Sequence, residues 1–321
     1  MIVCVSGASG FIGRHLCAAL LGHGYVVRGI TRDMQKKPIQ GVEYFYGDIS
    51  TGEGDFSGFF AGVDLFFNCA GEIVDPARML SLHVDGTVNL LGFLQQEMVL
   101  RSKPVRWIQL SSVGAYGLSN HPASSERTVD VHTAERPEDV YEITKTVADH
   151  LVLNAANKVE LLSCVVLRPT IVVGAEMSNQ SFFQLSLAVK KKMFFYVADR
   201  HAIANYVHVD DVIAALVVCG FAQRQESGVY IVANDCPLRD VINAIADFYQ
   251  VSRPKVVVPQ SVTRFLAALF SKVPRFPLTQ SRIDALLKRT SYSPALLALH
   301  YGVRSQCSLP ESIPAILQGR R

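Results

Sequence analysis

The chain has no Cys-x-x-Cys pair, no apolar run of bilayer length, no internal repeat and no low-complexity segment, and its excess of one charge sign is small. Each absence removes a class of function. Seven cysteines at positions 4, 17, 69, 164, 219, 236 and 307 sit mostly among apolar neighbours. They read as buried thiols in a reducing compartment, a disulfide-stapled scaffold is excluded, and no metal site is expected. Thirty-one basic and 28 acidic residues give a formal charge of +3 and a pI near 8.4. So small an excess does not suggest nucleic acid or a membrane surface as partner. The one dense basic run, Lys190-Lys191-Lys192, reads as a solvated helix face. No basic leader or cleavage site precedes Ile2-Val3-Cys4-Val5, so the expected location is the cytoplasm.

What is present is the material of a large core. Of 321 residues, 49% are hydrophobic and 18% charged, the balance of an ordered globular chain built as one large domain or two unequal lobes. Apolar runs of strand length alternate with helical patterns as far as about residue 170. Strands are expected at Ile2–Val5, Val26–Ile30, Tyr44–Tyr46, Asp64–Asn68, Val105–Ser111 and Leu161–Arg168. Helices are expected at Phe11–Leu21, at Met79–Gln96 with its stripe of Leu80, Val84, Val88, Leu91 and Leu94, and at Glu138–Asn157. This rhythm predicts an α/β fold, a Rossmann-type doubly wound parallel sheet with its ligand crevice outside the carboxyl ends of the strands. Beyond Arg168-Pro169 the elements shorten: a helix at Ser181–Lys192, a helix at Val209–Phe221, a strand at Val229–Val232 and a helix at Leu238–Tyr249. The expected division is a first domain over 1–170 and a smaller C-terminal α/β lobe over 171–321, with the 209–221 helix packing back on the first domain.

Directly after the first strand comes Ser6-Gly7-Ala8-Ser9-Gly10-Phe11-Ile12-Gly13, opening into a helix. Glycine at 7 permits a tight turn, glycine at 10 lets backbone approach a pyrophosphate, and glycine at 13 lets helix and sheet pack closely. The helix N-terminus adds unpaired N–H groups and the positive end of its dipole. Gly7, Ser9, Gly10, Phe11, Ile12 and Gly13 are therefore candidate dinucleotide contacts. The first domain is then the dinucleotide-binding unit, and the C-terminal lobe the place for substrate.

The second strand ends in Thr31-Arg32, where an acidic residue would bond the adenosine ribose of NAD. Arg32 instead suits the 2′-phosphate of NADP, with NAD as the alternative. Arg14, Lys36 and Lys37 are secondary candidates.

Tyr141 and Lys145 stand four apart in Tyr-Glu-Ile-Thr-Lys, so on a helix they share a face. A phenol titrates near 10, and a neighbouring ammonium together with an oxidised nicotinamide would lower that value into a working range. The preceding strand ends in Leu110-Ser111-Ser112-Val113-Gly114-Ala115-Tyr116-Gly117, which places a serine hydroxyl at the carboxyl edge of the sheet.

Together these motifs resemble an extended short-chain dehydrogenase/reductase of the NAD-dependent epimerase/dehydratase family, over the whole length and in the family's order. The resemblance implies that Ser112 is the catalytic hydroxyl and Tyr141 the acid/base. Lys145 would lower the phenol's pKa and bind the nicotinamide ribose. It assigns Asp48 and Ile49 of Gly47-Asp48-Ile49 to adenine, Cys69, Ala70 and Gly71 to the strand end against the cofactor, and Arg168 and Thr170 to the turn past the nicotinamide. His208-Val209-Asp210-Asp211 resembles the start of the family's returning helix, with His208 a structural histidine. It also implies a homodimer through the helices of 79–96 and 138–157.

Two departures bear on the substrate. Ala204 stands where nucleotide-sugar enzymes of the family often carry an arginine for the diphosphate, and His83 where asparagine is usual. Asn179, Arg200 or Arg282 would have to supply substitute polar contacts, and Asn205-Tyr206 is expected near the substrate. The reading is an NADP(H)-dependent oxidoreductase that reduces a small molecule, first of all a nucleotide-linked 4-keto sugar. Alternatives are a nucleotide-sugar epimerase or dehydratase recycling tightly bound NAD, a reductase of hydrophobic ketones resembling flavonol or hydroxysteroid enzymes, and a non-catalytic NADP-binding regulator. Substrate identity, stereochemistry and direction have no readable code in the second lobe.

Overall fold

The computed structural model describes residues 1–35, 39–117, 124–177, 180–224, 226–269 and 279–319. In chain order the first half runs β1 (Ile2–Ser6), α1 (Phe11–Gly22), β2 (Val26–Thr31), β3 (Val42–Asp48), β4 (Glu53–Gly54), α2 (Phe56–Phe60), β5 (Leu65–Asn68), α3 (Pro76–Leu80), α4 (Gly86–Arg101), β6 (Val105–Leu110), β7 (Glu126–Val129), α5 (Val140–Lys158) and β8 (Leu162–Pro169). There follow β9 (Ile171–Val173), α6 (Gln180–Lys190), β10 (Tyr196–Val197), β11 (Ile203–Ala204), β12 (Tyr206–His208), α7 (Val209–Phe221), β13 (Gly228–Val232) and β14 (Cys236–Pro237). The chain closes with α8 (Leu238–Phe248), β15 (Val257–Val258), α9 (Gln260–Leu269), α10 (Gln280–Leu287), β16 (Arg289–Tyr292), α11 (Ala295–Tyr301) and α12 (Leu309–Gln318).

The central sheet has eight strands in the order β13-β8-β6-β5-β1-β2-β3-β4. All neighbours are parallel except the β3–β4 pair. The order turns back at β1, which makes the crevice at its carboxyl end the topological switch point of a doubly wound fold. Such strands must be apolar on both faces, and the register shows it. In β5, Leu65 and Phe67 face the layer that holds Leu16 and Leu20 of α1 and Leu216 of α7, while Phe66 faces Phe59, Phe60, Leu90 and Trp107. Phe66 meets Trp107 edge to face at 4.6 Å and 88°. Each such fully buried ring stabilises the fold by about 1.5–3 kcal/mol through area alone.

The short elements of the second half have their own core, in which Phe182, Phe183, Tyr196, Val241, Ile242, Ile313 and Ile316 meet. Two strand pairs tie this part to the sheet's carboxyl edge: β12 runs parallel to β9, and β16 runs parallel to β7. Strand β13, which lies beyond the expected boundary at residue 170, hydrogen-bonds to β8 from Gly228↔Val165 to Val232↔Pro169. Helix α7 packs against α1. The continuous helix expected over 79–96 is instead two helices separated by a π-helical turn, Ser81–Asp85, in which the Gly86 amide donates to the Ser81 carbonyl five residues back. No helix among the described residues is long and apolar enough to cross a membrane.

Candidate active site

The glycine turn is held by contacts that exclude larger residues. Gly7 has φ +66°, and a Cβ there would lie 2.7 Å from backbone atoms of Cys69 and Ala70. A Cβ on Gly13 would lie 2.1 Å from the Gly7 carbonyl oxygen. Gly10 is the N-cap of α1 and brings no side-chain cap, so no side chain covers the first-turn amides of Phe11, Ile12 and Gly13. This turn fits a dinucleotide: backbone can come close, the amides point outward, and the helix dipole favours an anion. Ser9 is exposed on its outer side. Beside it, at the strand ends, Ser6 Oγ donates to Asn68 Oδ1 at 2.5 Å and Asn68 Nδ2 to Gln109 Oε1 at 3.0 Å, fixing β1, β5 and β6 in register.

At the adenosine end, Arg32 Nη1 stands 3.7 Å from Asp48 Oδ2, with half of the arginine side chain exposed. Partial burial works to raise the Asp48 carboxyl, but hydrogen bonds from the Ser50 hydroxyl and amide, with Arg32 and Arg78, hold it below the usual carboxylate range. Ile49 is buried, and Asn89 of α4 donates to the carbonyls of Ile49 and Ser50. Arg78, not among the residues singled out from the sequence, is thus a second guanidinium near this end. It also stands 3.6 Å from Glu72. Lys36 and Lys37 lie outside the described residues.

The catalytic candidates converge at the carboxyl end of β6. Ser112 follows the strand, receives the Gly114 amide at 3.1 Å, and faces the Tyr141 side chain. Tyr141 stands in the first turn of α5, which Asp139 caps by accepting the Glu142 amide at 2.8 Å. Burial pushes the phenol up to about 12, with Ser112 pulling the other way. Lys145, one turn on, is buried and donates to the Leu110 carbonyl at 2.5 Å. Burial lowers its ammonium's pKa, and Asp149 opposes that. The lowered phenol expected from the ammonium is therefore not a property of the protein alone. Protonated Tyr141 is the form present at neutral pH.

The neighbouring serine has a different environment. Ser111 Oγ donates to Asp149 Oδ2 at 2.7 Å, and the same oxygen receives Arg168 Nε at 3.1 Å and Nη2 at 3.0 Å. Arg168 also reaches Glu135 at 2.6 Å and lies over the Tyr116 ring at 5.1 Å. Burial works against its charge, but Asp149, Tyr116 and Glu135 together outweigh it and its pKa is raised. The structure thus places the Arg168 side chain in a buried network with Asp149 of α5 and with Glu135, neither of which was apparent from the sequence. The 141/145/149 spacing on one helix face was the available signal for Asp149.

Cys69, Ala70 and Gly71 follow β5, and the amide of Ala70 donates to Ser6 Oγ at 3.3 Å. Burial pushes the Cys69 thiol up to about 12, so it is a neutral wall of the site. The next residue, Glu72, donates its amide to His83 Nε2 at 2.9 Å. Its carboxylate receives the amides of Ile73 and Val74 at 3.0 and 2.9 Å.

Of the substrate candidates, Asn205 is buried and donates to the Thr290 carbonyl at 2.7 Å. Arg282 is bonded to Gln184, and Arg200 to the Lys255 carbonyl. Asn179 lies outside the described residues. Thr170 Oγ1, Asn205 Oδ1 and Asp235 Oδ1 are buried without a partner among the described residues, at the carboxyl ends of β8 and β13. Lys288 stands 3.3 Å from the Tyr292 hydroxyl and interacts with Asp235 and Glu142. His208 accepts the Asp210 amide at 3.3 Å, and Asp211 accepts those of Gln306 and Cys307. His208, Asp210 and Cys307 bring ligand-type atoms within 4.8 Å of one another, at the positive end of α7, which disfavours a cation.

A switch-point crevice, a glycine turn under a helix N-terminus, and a Ser–Tyr–Lys group at the adjacent strand end define a dinucleotide-dependent enzyme of the short-chain dehydrogenase/reductase type. The sequence profile of the NAD dependent epimerase/dehydratase family matches residues 3–233, and the chain belongs to that family. It is an NAD(P)-dependent oxidoreductase or epimerase of the extended type. It is 27% identical over 295 residues to a 4-hydroxy-2-methyl-3-oxo-4-farnesyl-3,4-dihydroquinoline-1-oxide ketoreductase of Stigmatella aurantiaca, covering 88% of this chain and 83% of that one. To dihydroflavonol 4-reductase of Arabidopsis thaliana it is 27% identical over 287 residues, 81% and 71% of the two chains. Its fold matches UDP-glucuronic acid 4-epimerase from Bacillus cereus in complex with NAD at a TM-score of 0.73 and 18% identity, over 99% and 96% of the chains.

Proposed function

We propose that the protein is an NADP(H)-dependent reductase that converts a ketone to a secondary alcohol in the crevice beside Ser112 and Tyr141. The observation that carries this reading is the convergence of Ser112, Tyr141 and Lys145 at the carboxyl end of β6: a phenol, protonated at neutral pH as any tyrosine is, stands beside a hydroxyl where a carbonyl oxygen could take its proton. Bound NADPH supplies the hydride for the carbonyl carbon. Ser112 and Tyr141 bond the carbonyl oxygen, Tyr141 gives it the proton, and the phenolate recovers one from solvent. Ser112 holds the charge that develops on that oxygen. Lys145, fixed on the Leu110 carbonyl, is the group that would hold the nicotinamide ribose. Gly7, Gly10 and Gly13 leave room for the pyrophosphate. Arg32 is assigned to the 2′-phosphate, with Arg78 beside it.

The substrate assigned first is a nucleotide-linked 4-keto sugar, bound by residues 171–321. The polar group of Asn205, Asp235 and Lys288, in which Lys288 and Asn205 interact with Asp235, supports it as a source of hydrogen bonds in that lobe. A second reading, a hydrophobic ketone, rests on Ala204 and on the engagement of Arg200 and Arg282 elsewhere; the two reductases named above support it. The free thiols support a reducing compartment. The exposed Leu80, Val88, Ile143 and Val147 support a homodimer through α3 to α5.

The test is titration of the purified protein with NADPH and NADH by nicotinamide fluorescence, after checking for co-purified coenzyme. Preference for NADPH that Arg32→Ala abolishes supports the reductase. Tightly retained NAD with no response to NADPH overturns it in favour of an epimerase or dehydratase.

A further inference from the structure

His83 belongs to neither the coenzyme turn nor the Ser–Tyr–Lys group, yet it touches both sides of the site. It lies in the π-helical turn Ser81–Asp85, a distortion that in helices is concentrated at functional sites. The residue is 3% exposed, although Leu80, three residues earlier, is 55% exposed. Its Nε2 accepts the Glu72 amide at 2.9 Å, and its Nδ1 lies 2.8 Å from Thr144 Oγ1. An amide can only donate, so Nε2 carries no proton and Nδ1 does. Thr144 Oγ1 agrees, because its own hydrogen goes to the Val140 carbonyl at 2.7 Å, leaving the oxygen to accept. The imidazole and the Tyr141 ring meet edge to face, their centres 5.7 Å apart and their planes at 81°. Loop 71–75 is thereby connected through one ring to the first turn of α5.

We propose that His83 is a positioning residue: a neutral imidazole strut, locked in its Nδ1–H tautomer, that holds the loop after β5 at a fixed distance from the Tyr141 helix and shields the phenol. It is no proton carrier, since both nitrogens are committed to neighbours. Lys145 and Glu72 are the charged groups that face it, and burial with the Lys145 charge keeps it uncharged far below neutrality, down to about 3. An asparagine here would have no ring to lay against Tyr141. Shielding matters to the reaction on the reading that Tyr141 is the acid. The geometry itself does not depend on that reading.

Two measurements on the full chain test it. In 15N-histidine-labelled protein, long-range proton–nitrogen correlations should show one imidazole, lost in His83→Asn, with protonated Nδ1 and bare Nε2 unchanged from pH 5 to pH 9. A His83 signal that titrates in that range, or the opposite tautomer, overturns the proposal. Ultraviolet difference titration against Tyr141→Phe gives the phenol's midpoint, which should fall in His83→Ala toward the unperturbed value of about 10 as water enters. An unmoved midpoint in folded His83→Ala overturns the shielding role. Full turnover in Tyr141→Phe would remove the catalytic reading while leaving both of these results standing.

Discussion

The carboxylate of Asp149 on α5 stands 3.0 Å from the guanidinium of Arg168, with side-chain exposures of 0% and 1%. Removing one partner of such a pair strands a charge in a low-dielectric site, so Asp149→Ala is expected to cost about 3–5 kcal/mol in urea unfolding. A loss below about 1 kcal/mol would mean that Glu135 and Tyr116 carry Arg168 without it.

The two adjacent serines should differ in turnover. Ser111→Ala removes a bond to Asp149 and is expected to lower stability by about 1–3 kcal/mol with coenzyme binding retained. Ser112→Ala loses its cap on the Gly114 amide, expected to cost about 1 kcal/mol, and is expected to lower kcat with the ketone substrate by about 10²-fold or more. Exchanged phenotypes would reassign the hydroxyl.

Tyr141→Phe deletes the proton and little else. Turnover should drop by about 10²–10⁴-fold while NADPH titrates as in the parent protein. Unchanged turnover with intact coenzyme binding points to a non-catalytic NADP-binding protein.

Within one helix, two glycines should respond oppositely. Gly13→Ala puts a methyl 2.1 Å from the Gly7 carbonyl and is expected to reduce both stability and coenzyme affinity, whereas at Gly22 a Cβ meets nothing within 4 Å. Gly22→Ala is expected to be neutral or to stabilise by up to about 1 kcal/mol. Thermal melts with and without NADPH check the pair.

His83 makes stability depend on acid. Its pKa is about 3 in the folded protein against an ordinary imidazole value of 6.5, chiefly from burial. Between these values the unfolded chain binds the proton and the native state does not, so the contribution is complete above pH 7 and declines as pH falls. The slope is about 1.4 kcal/mol per pH unit, about 2 kcal/mol lost by pH 5. The difference in unfolding free energy between pH 7 and pH 5 should be smaller by that amount in His83→Gln.

The parallel sheet was legible in the sequence because its strands are apolar on both faces and its helices striped. Ser112, Tyr141 and Lys145 were legible because a helical repeat of four and a strand end are both local patterns. Val229–Val232 shows the limit: its apolar run declares a strand, but nothing local says that its partner is β8. The π-helical turn was invisible because the apolar stripe of 79–96 fits an unbroken helix equally well. Glu135, Arg78 and the His83 contacts depend on residues distant in the chain, and no local spacing encodes them; Asp149 showed only its place on the Tyr141–Lys145 face, not its pairing with Arg168.

The β13–β8 pairing also governs when this molecule can exist at all. Until residue 232 has been synthesised, β8 is a bare edge with a row of unpaired amides and carbonyls, the kind of template on which chains aggregate. Helix α7, part of the layer that covers one face of the sheet, is made just before it. A ribosome releasing only the first 170 residues would deliver a sticky fragment rather than half an enzyme, so the coenzyme-binding part has no independent life to be borrowed by gene fusion or truncation.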